Sequence, residues 1–478
     1  NYNTVVGDEA GTAITTGDAN TFYGYSAGVA TTTSSDNTAI GGAALATNIL
    51  ASSNTAVGKN ALYAHNVGSA ASTYNTAVGH HAGIAVTTGI QNTLIGGLAG
   101  DALTDSDKNV AVGYSALGTE VLGQFNVAIG RSALQAQSNG SAANVYNTAV
   151  GYNAGAAVTT GVQNTFIGGL AGDATDDGTN NVAVGFEALS ANCGSSNTSV
   201  GTRAGKATTA DNNTFVGNNA GTANTTASNN TAVGASALLA NTTGANNTAL
   251  GIQALDGNTT GSENIGIGSN ALGSNTTAND NVAIGGGALA TNTTGADNVA
   301  IGRVALANST TASNNTAVGK SALFANTTGT SNVALGALAL DANTTGNQNV
   351  GVGKNAIGTN TTGDANTAIG HGALAVATTA DNNTAVGFHS LVANTTGASN
   401  AVLGAYALDA NTTGATNTAV GASALGNNTT ASNNTAVGYS ALYANTTGTE
   451  NVAVGSNALD ANTTANGNSA LGHGSLGA

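Results

Sequence analysis

Six histidines, one cysteine and 23 acidic residues are the side chains of this sequence best suited to chemistry. The histidines are His65, His80, His81, His371, His389 and His473. His80 and His81 are neighbours, but no thiol or carboxylate stands at metal-ligand spacing from them. Cys193 is single, so an intrachain disulfide and every CxxC or Cys/His metal pattern are excluded. Acidic residues gather in TDSDK (residues 104–108) and ATDDG (residues 174–178). Paired carboxylates can cleave glycosides or hold calcium. These pairs sit in turns, with no partnered acid and no aromatic platform for a sugar. The sequence therefore predicts no catalytic residue, no cofactor and no metal site. One modification signal is abundant. Between residues 224 and 462 fourteen Asn-Thr-Thr or Asn-Ser-Thr sequons recur, among them Asn224, Asn241, Asn258, Asn326, Asn343, Asn394 and Asn445. Each is a formal N-glycosylation acceptor; the competing reading is a turn whose Asn and Thr satisfy their own backbone.

Composition narrows the elements that could position these groups. The 478 residues carry a net charge of −15 with only 6% charged residues, 69 Gly, and no Pro, Met or Trp. Ordinary globular chains are about a quarter charged. Disorder conflicts with 41% hydrophobic content and its regular placement. Eight Lys and Arg in all give no electrostatic footprint for nucleic acid or a membrane surface. Apolar runs are too short for a membrane-spanning helix. Both ends fall inside a repeat, so a longer parent chain is expected.

The repeat itself defines the architecture. In residues 314–353, NNTAVGKSALFANTTGTSNVALGALALDANTTGNQNVGVG, one phrase recurs after seventeen residues. Taking the Gly that follows the short apolar word as position 0, there are 28 such glycines, from Gly7 to Gly472. An Asn precedes each by four residues, from Asn3 to Asn468. Two coils are longer, at 58–79 and 130–151, and two around Gly201 are one residue shorter. NTAVGHHAG and NTAVGYNAG, starting at Asn75 and Asn147, open near-identical segments 72 residues apart. Glycine in every word opposes helix by about 1 kcal/mol per residue. Short β-rich words between Asn/Gly turns predict an all-β parallel β-solenoid (β-roll) over residues 1–478, one coil per repeat. At ~4.8 Å per coil the array would extend ~130 Å. The Asn column, for example Asn315, Asn332, Asn349, Asn366 and Asn383, fits a ladder of amides bonded from coil to coil. The extra residues of the two long coils predict loops bulging at one corner.

A substitution pattern identifies the interior. Position −2 is usually Ala, but Phe22, Leu94, Phe166 and Phe215 are bulky. Position +4 is usually Leu, yet eight coils carry Gly: Gly11 and Gly28, Gly83 and Gly100, Gly155 and Gly172, Gly205 and Gly221. Each pair brackets one bulky residue. A large side chain at −2 therefore fills the volume that two Leu occupy elsewhere, keeping core volume constant. Position −1 must then point to the opposite face of the strand. It is aliphatic in 27 of 28 coils, with Tyr23 the exception. Such a column exceeds what a soluble monomer leaves exposed. The expected cover is a second copy of the chain, giving a homo-oligomer; the alternative is a flattened coil capped by its own turn segment. The sites after position 0 vary freely and carry most of the histidines, Lys59, Arg131, Arg303, Lys320 and Lys354, and Tyr114, Tyr152, Tyr439 and Phe186. They are expected to face outward.

The word NTAVGxxAL and its variants NVAIGGGAL (281–289) and NVAIGRVAL (298–306) resemble the head repeats of trimeric autotransporter adhesins. The array with Asn-Thr-Thr-Gly turns also looks like the shaft repeats of phage tail fibres. The resemblance covers the whole chain. It implies a homotrimeric β-roll and an extracellular, non-enzymatic fibre that attaches to a host surface or glycan receptor. The unit here is longer than the adhesin head unit, and the neck, stalk and anchor of that family have no counterpart. Two further readings are a self-assembling extracellular filament or matrix fibre, sheathed in sugar if the sequons are used, and an ice-binding solenoid. Adjacent Thr-Thr would point opposite ways on a strand, which disfavours a flat Thr-x-Thr face.

Overall fold

The computed structural model describes residues 2–477 and contains strands and turns but no helix among them. Twenty-eight three-residue strands, one per repeat, pair in parallel and in register with the next coil, as Thr316–Val318 does with Val333–Leu335. The fold is a parallel β-solenoid with a period of about seventeen residues, as the repeat predicts. The chain divides into two compact units, Asn1–Thr243 and Gly244–Ala478, and each is built from the same coil.

Each strand is short because only positions −3 to −1 carry residues that favour extended backbone. Thr or Val, Ala, then Val or Ile present β-branched side chains on one face and a small one on the other. Position 0 ends the strand. Gly319 has φ +137°, and a Cβ there would stand 2.6 Å from the carbonyl group of Gly336 in the next coil. Backbones stacked that closely leave room only for hydrogen. The corner that follows alternates in hand: Ser321 has φ 58° and Leu323 φ 52°. A left-handed Leu is strained by roughly 1–2 kcal/mol. Burial of its side chain against the strand offsets this, since Leu323 is fully buried beside Ala317 and Ala322.

The interior is therefore a narrow apolar column of positions −2, +3 and +4, closed on its far side by asparagine. Asn315, Asn332, Asn349, Asn366 and Asn383 are all fully buried. The Oδ1 of Asn315 accepts the backbone N–H of Asn332 at 2.9 Å and its Nδ2 at 3.2 Å. The backbone bond recurs from Asn332 to Asn349 and on to Asn366 and Asn383, and the Nδ2 bond recurs at Asn366 and Asn383. Each Nδ2 also donates across the corner, as Asn332 does to the carbonyl of Gly346 at 2.8 Å. Every ladder rung thus satisfies buried backbone groups that would otherwise be costly.

The bulky-for-small exchange is visible as contact. Phe22, Leu94, Phe166 and Phe215 are fully buried. A Cβ at Gly28 would lie 2.6 Å from the ring of Phe22, and one at Gly11 would lie 3.0 Å from it. Leu94 occupies the space above Gly83 and Gly100 at 2.6 and 2.8 Å. Phe166 does so above Gly155 and Gly172 at 2.8 and 2.5 Å, and Phe215 above Gly205 at 2.7 Å and above Gly221. Each ring occupies space over its own coil and the preceding one.

The two long coils do bulge at a corner. Residues 68–72 and 140–142 are exposed. In the first, Ala71–Ser72 pairs in parallel with Ala51–Ser52, a small second sheet. In the second, Gln124 and Asn144 form a lone bridge.

Candidate functional site

The strand face opposite the core is a chemically distinct surface on each unit. None of its position −1 side chains is buried: Ile167 is 40%, Leu335 47% and Leu403 52% exposed, while valines such as Val318 and Val352 are half-buried. The corners of the coil turn away from this face and leave it bare. The self-capped coil considered from sequence is therefore not the one adopted. Position −3, Thr or Val, flanks it on the same face. The result is a column of branched aliphatic side chains one coil apart, with no charged residue in it.

Beside it run the outward sites +1 and +2. Tyr114, Tyr152, Tyr439 and Phe186 are exposed there, as the free variation of these sites predicts. Side chains in this column and at other outward positions lean on the neighbouring coil. Lys108 lies 4.8 Å from the ring centre of Phe125, and Arg131 lies 5.8 Å from that of Tyr152. Lys206 and Arg203 pair with Glu187 at 2.7 and 2.9 Å and hold its carboxyl below the usual range. Two histidine groups stand out. His80 stacks on His81 at 3.8 Å, and Phe388 on His389 at 4.2 Å. His371 and Tyr406 extend the second group over three coils. Gly372 makes the space for it, because a Cβ there would be 2.8 Å from the His389 ring. Both stacked histidines have an aspartate at +5 of the next coil, Asp101 and Asp409. Burial raises both carboxyls above their usual range, and the histidine opposite each partly counters it. Burial and the neighbouring His80 and Lys59 lower His81 in turn. No three His, Cys, Asp or Glu side chains converge on a metal position among the described residues.

The corner position +7 differs most from the sequence reading. Asn224, Asn241, Asn258, Asn326, Asn343, Asn394 and Asn445 occupy it and are fully buried. Their amides are spent on structure. Asn343 donates to Asn326 Oδ1 and to the carbonyl of Gly346, both at 2.9 Å. Asn445 does the same to Asn428 and Gly448 at 3.0 and 2.9 Å. Asn224, Asn258, Asn326 and Asn394 donate to the carbonyl three residues on, at 2.8 to 2.9 Å. Asn241 donates to Asn224 Oδ1 at 2.8 Å. These Asn form a second ladder, and the folded coil cannot present them to a glycosyl donor. The glycosylation expectation is corrected accordingly: a sugar on any of them would have to occupy the corner that the chain itself fills. The following threonines divide their work. Thr327 Oγ1 donates to the carbonyl of Thr344 at 3.0 Å, whereas Thr328 is exposed. Only one of each pair faces outward.

In residues 1–243 the same corner also holds side chains other than Asn, and three of them stand out. His65 is not a surface loop residue but fully buried at +7. Its Nε2 lies 3.0 Å from Thr73 Oγ1 and 3.4 Å from Asn75 Nδ2. Cys193, expected as a surface or corner thiol, lies at the corner and is buried. It is 1% exposed, with Sγ 3.1 Å from Thr175 Oγ1, and burial pushes the thiol up. Glu120 went unnoticed in the sequence and is fully buried. Its Oε1 accepts the backbone N–H groups of Val121, Leu122 and Gly123 at 2.9, 3.0 and 2.7 Å. Gln137 Nε2 donates to Oε2 at 2.9 Å, and the Asn139 N–H adds a contact at 3.3 Å.

His65 makes the corner acid-sensitive. Burial lowers its pKa to about 4 from the usual 6.5, and the backbone carbonyl of Thr87, an acceptor that favours the protonated ring, offsets part of this. The unfolded chain therefore binds a proton at higher pH than the folded one. Stability is fully present above pH 6.5 and falls as pH drops from 6.5 toward 4. The loss should reach about 3 kcal/mol. His65→Asn installs the residue that +7 carries elsewhere and should abolish the effect. Amide exchange of the 58–79 coil at pH 7 and pH 4.5 would measure it; equal protection at both values would refute it.

No protein-family model matches the chain, and no curated protein matches it.

Proposed function

We propose that this chain is a non-catalytic, extracellular fibre module that self-associates through its aliphatic column and presents its outward side chains to a surface receptor. The uncovered column carries this reading. A face of Val, Ile and Leu one coil apart, repeated along each unit and free of charge, behaves as an unpaired half of a hydrophobic interface. Each such side chain buried by a partner contributes roughly 1.5–3 kcal/mol at most. Three copies around one axis is the favoured arrangement, in line with the resemblance to adhesin heads and tail-fibre shafts. The receptor would be a host surface or glycan met by the +1 and +2 sites, where repetition multiplies weak contacts. The reading includes neither nucleic acid nor insertion into a membrane.

Sedimentation equilibrium tests it. The intact chain should sediment at three times its 45.5 kDa monomer mass. Replacing Ile301, Val318 and Leu335 together by Asp should shift the mass toward the monomer, because a buried unpaired charge costs several kcal/mol. A wild-type monomer would remove the basis of the proposal, and open-ended polymers would favour a filament instead.

A further inference from the structure

A cavity of about 450 Å³ opens beside Asp341 in the second unit. Its walls come from three successive coils. Asp341 is at +5 of the first, Asn355 and Gly358 are at +2 and +5 of the second, and Ala375 is at +5 of the third. Leu338 and Val376 supply apolar flanks. We propose that this cavity binds a primary ammonium group carried on a short apolar chain.

The polar atoms nearest Gly358 are acceptors. A side chain beginning at Gly358 would be surrounded by oxygen: the carbonyls of Asn355 and Ala375 at 3.4 Å each and Asp341 Oδ1 at 3.7 Å. The Oδ1 of Asn355 is buried without a hydrogen-bond partner. Thr359, also in the wall, gives its hydroxyl proton to the carbonyls of Ala375 and Ala377 at 3.2 and 3.0 Å. Its oxygen is left to accept. Asp341 has no basic partner, since the ion pairs of the described residues all involve Glu187. Burial raises its carboxyl pKa, as expected for a charge that lacks compensation. A group with three N–H donors and one positive charge answers this set, each bond being charge-assisted at the carboxylate. The apolar flanks have no use for a bare ion but fit the carbons behind an ammonium. A net charge of −15 favours approach of a cation.

Other coils of the chain show what fills this notch when it is not left open. An Asp at +5 is followed by Gly at +5 of the next coil in four other places: Asp101 and Gly118, Asp256 and Gly273, Asp409 and Gly426, Asp460 and Gly477. At Gly426 the ring of Tyr443, from +5 of the third coil, lies 2.9 Å from where a Cβ would be. The notch thus accepts an apolar body that lies back along the array. The Asp256 and Gly273 notch also has Ala at +5 of the third coil, Ala290, but there the amide of Asn270 turns in, its Cγ 2.9 Å from where a Cβ at Gly273 would be. At Gly358 the third coil offers only Ala375, the side chain of Asn355 stays clear of the glycine, and the space remains.

The test is calorimetric titration of the intact chain with n-butylammonium chloride, n-butanol and calcium chloride at constant ionic strength. Saturable binding of butylammonium is expected, weakened about tenfold or more in Asp341→Asn and in Ala375→Tyr. The first variant keeps shape and removes charge. The second places at +5 the residue found natively at Tyr443, so it should fold, and circular dichroism and amide exchange would verify both. Butanol binding as tightly as butylammonium would overturn the proposal. So would calcium binding in its place, or butylammonium affinity unchanged in both variants, which would mark attraction to the acidic surface alone.

Discussion

Phe166→Ala should destabilise the coils around it by about 3–5 kcal/mol, the cost of an emptied aromatic site that cannot collapse. Collapse is prevented by the backbone spacing that stacked hydrogen bonds impose on every coil. Gly155 and Gly172 replaced by Leu, with Phe166 retained, should be comparably damaging, since each new Cβ would start 2.8 or 2.5 Å from the ring. Joining all three changes should restore most of the loss. The triple variant reproduces the arrangement of ordinary coils, where Ala at −2 faces Leu at +4. Leu is also tolerated there by the backbone: Leu323 holds φ 52°, close to the 58° and 59° of Gly155 and Gly172. Local amide exchange in each variant reads the interaction energy directly. Losses that simply add would show that the glycines answer a backbone requirement rather than the ring.

Glu120→Ala should cost about 3–5 kcal/mol, because its removal strands several buried donors at once. The amides of Val121, Leu122 and Gly123 all point at one carboxylate oxygen, with Gln137 at the other. Glu120→Gln keeps one acceptor and should lose only about 1–2 kcal/mol. The readout is protection of the amides at 121–123, compared with a distant coil as internal control. Because long arrays depart from two-state unfolding, a single global midpoint would dilute the effect. Protection unchanged at these amides in the Ala variant would mean that water replaces the carboxylate without penalty.

The sequence spoke clearly where a physical demand recurs in every coil. Position 0 must be Gly because stacked backbones touch there, and Asn at −4 must serve buried amides in each rung, so both are invariant. The trade of Phe166 against Gly155 and Gly172 was legible because volume is conserved across three residues that always change together. Other features had no periodic signal. Position +7 in residues 1–243 holds Asn only in places such as Asn48, Asn224 and Asn241, and elsewhere His65, Glu120, Gln137 and other types that share little besides their burial. Nothing in their identity marks one column. Asn326 and its repeats looked like self-satisfied turns, and half of that is correct. Their second bond, from coil to coil, depends on corner geometry that residue type alone does not reveal. The left-handed Leu323 was hidden for a similar reason, since Leu normally argues against that backbone. The bare state of the −1 column also required coordinates: its apolar character was plain, but whether the corner folds back over it was not.

The pairing of one large side chain with two glycines has a consequence for how such a gene can change length. Inserting or deleting one seventeen-residue unit among ordinary coils leaves each remaining side chain in an unaltered setting. A breakpoint between Gly155 and Gly172 does not, because it sets Phe166 against a Leu or leaves a glycine facing Ala. Those two-coil blocks can be inherited only whole. The two segments that begin at Asn75 and Asn147 each carry one such block intact, Gly83 with Leu94 and Gly100 in the first, Gly155 with Phe166 and Gly172 in the second. Unequal crossing-over is thereby confined to certain junctions, and variation in the number of coils is written in the plain coils between them.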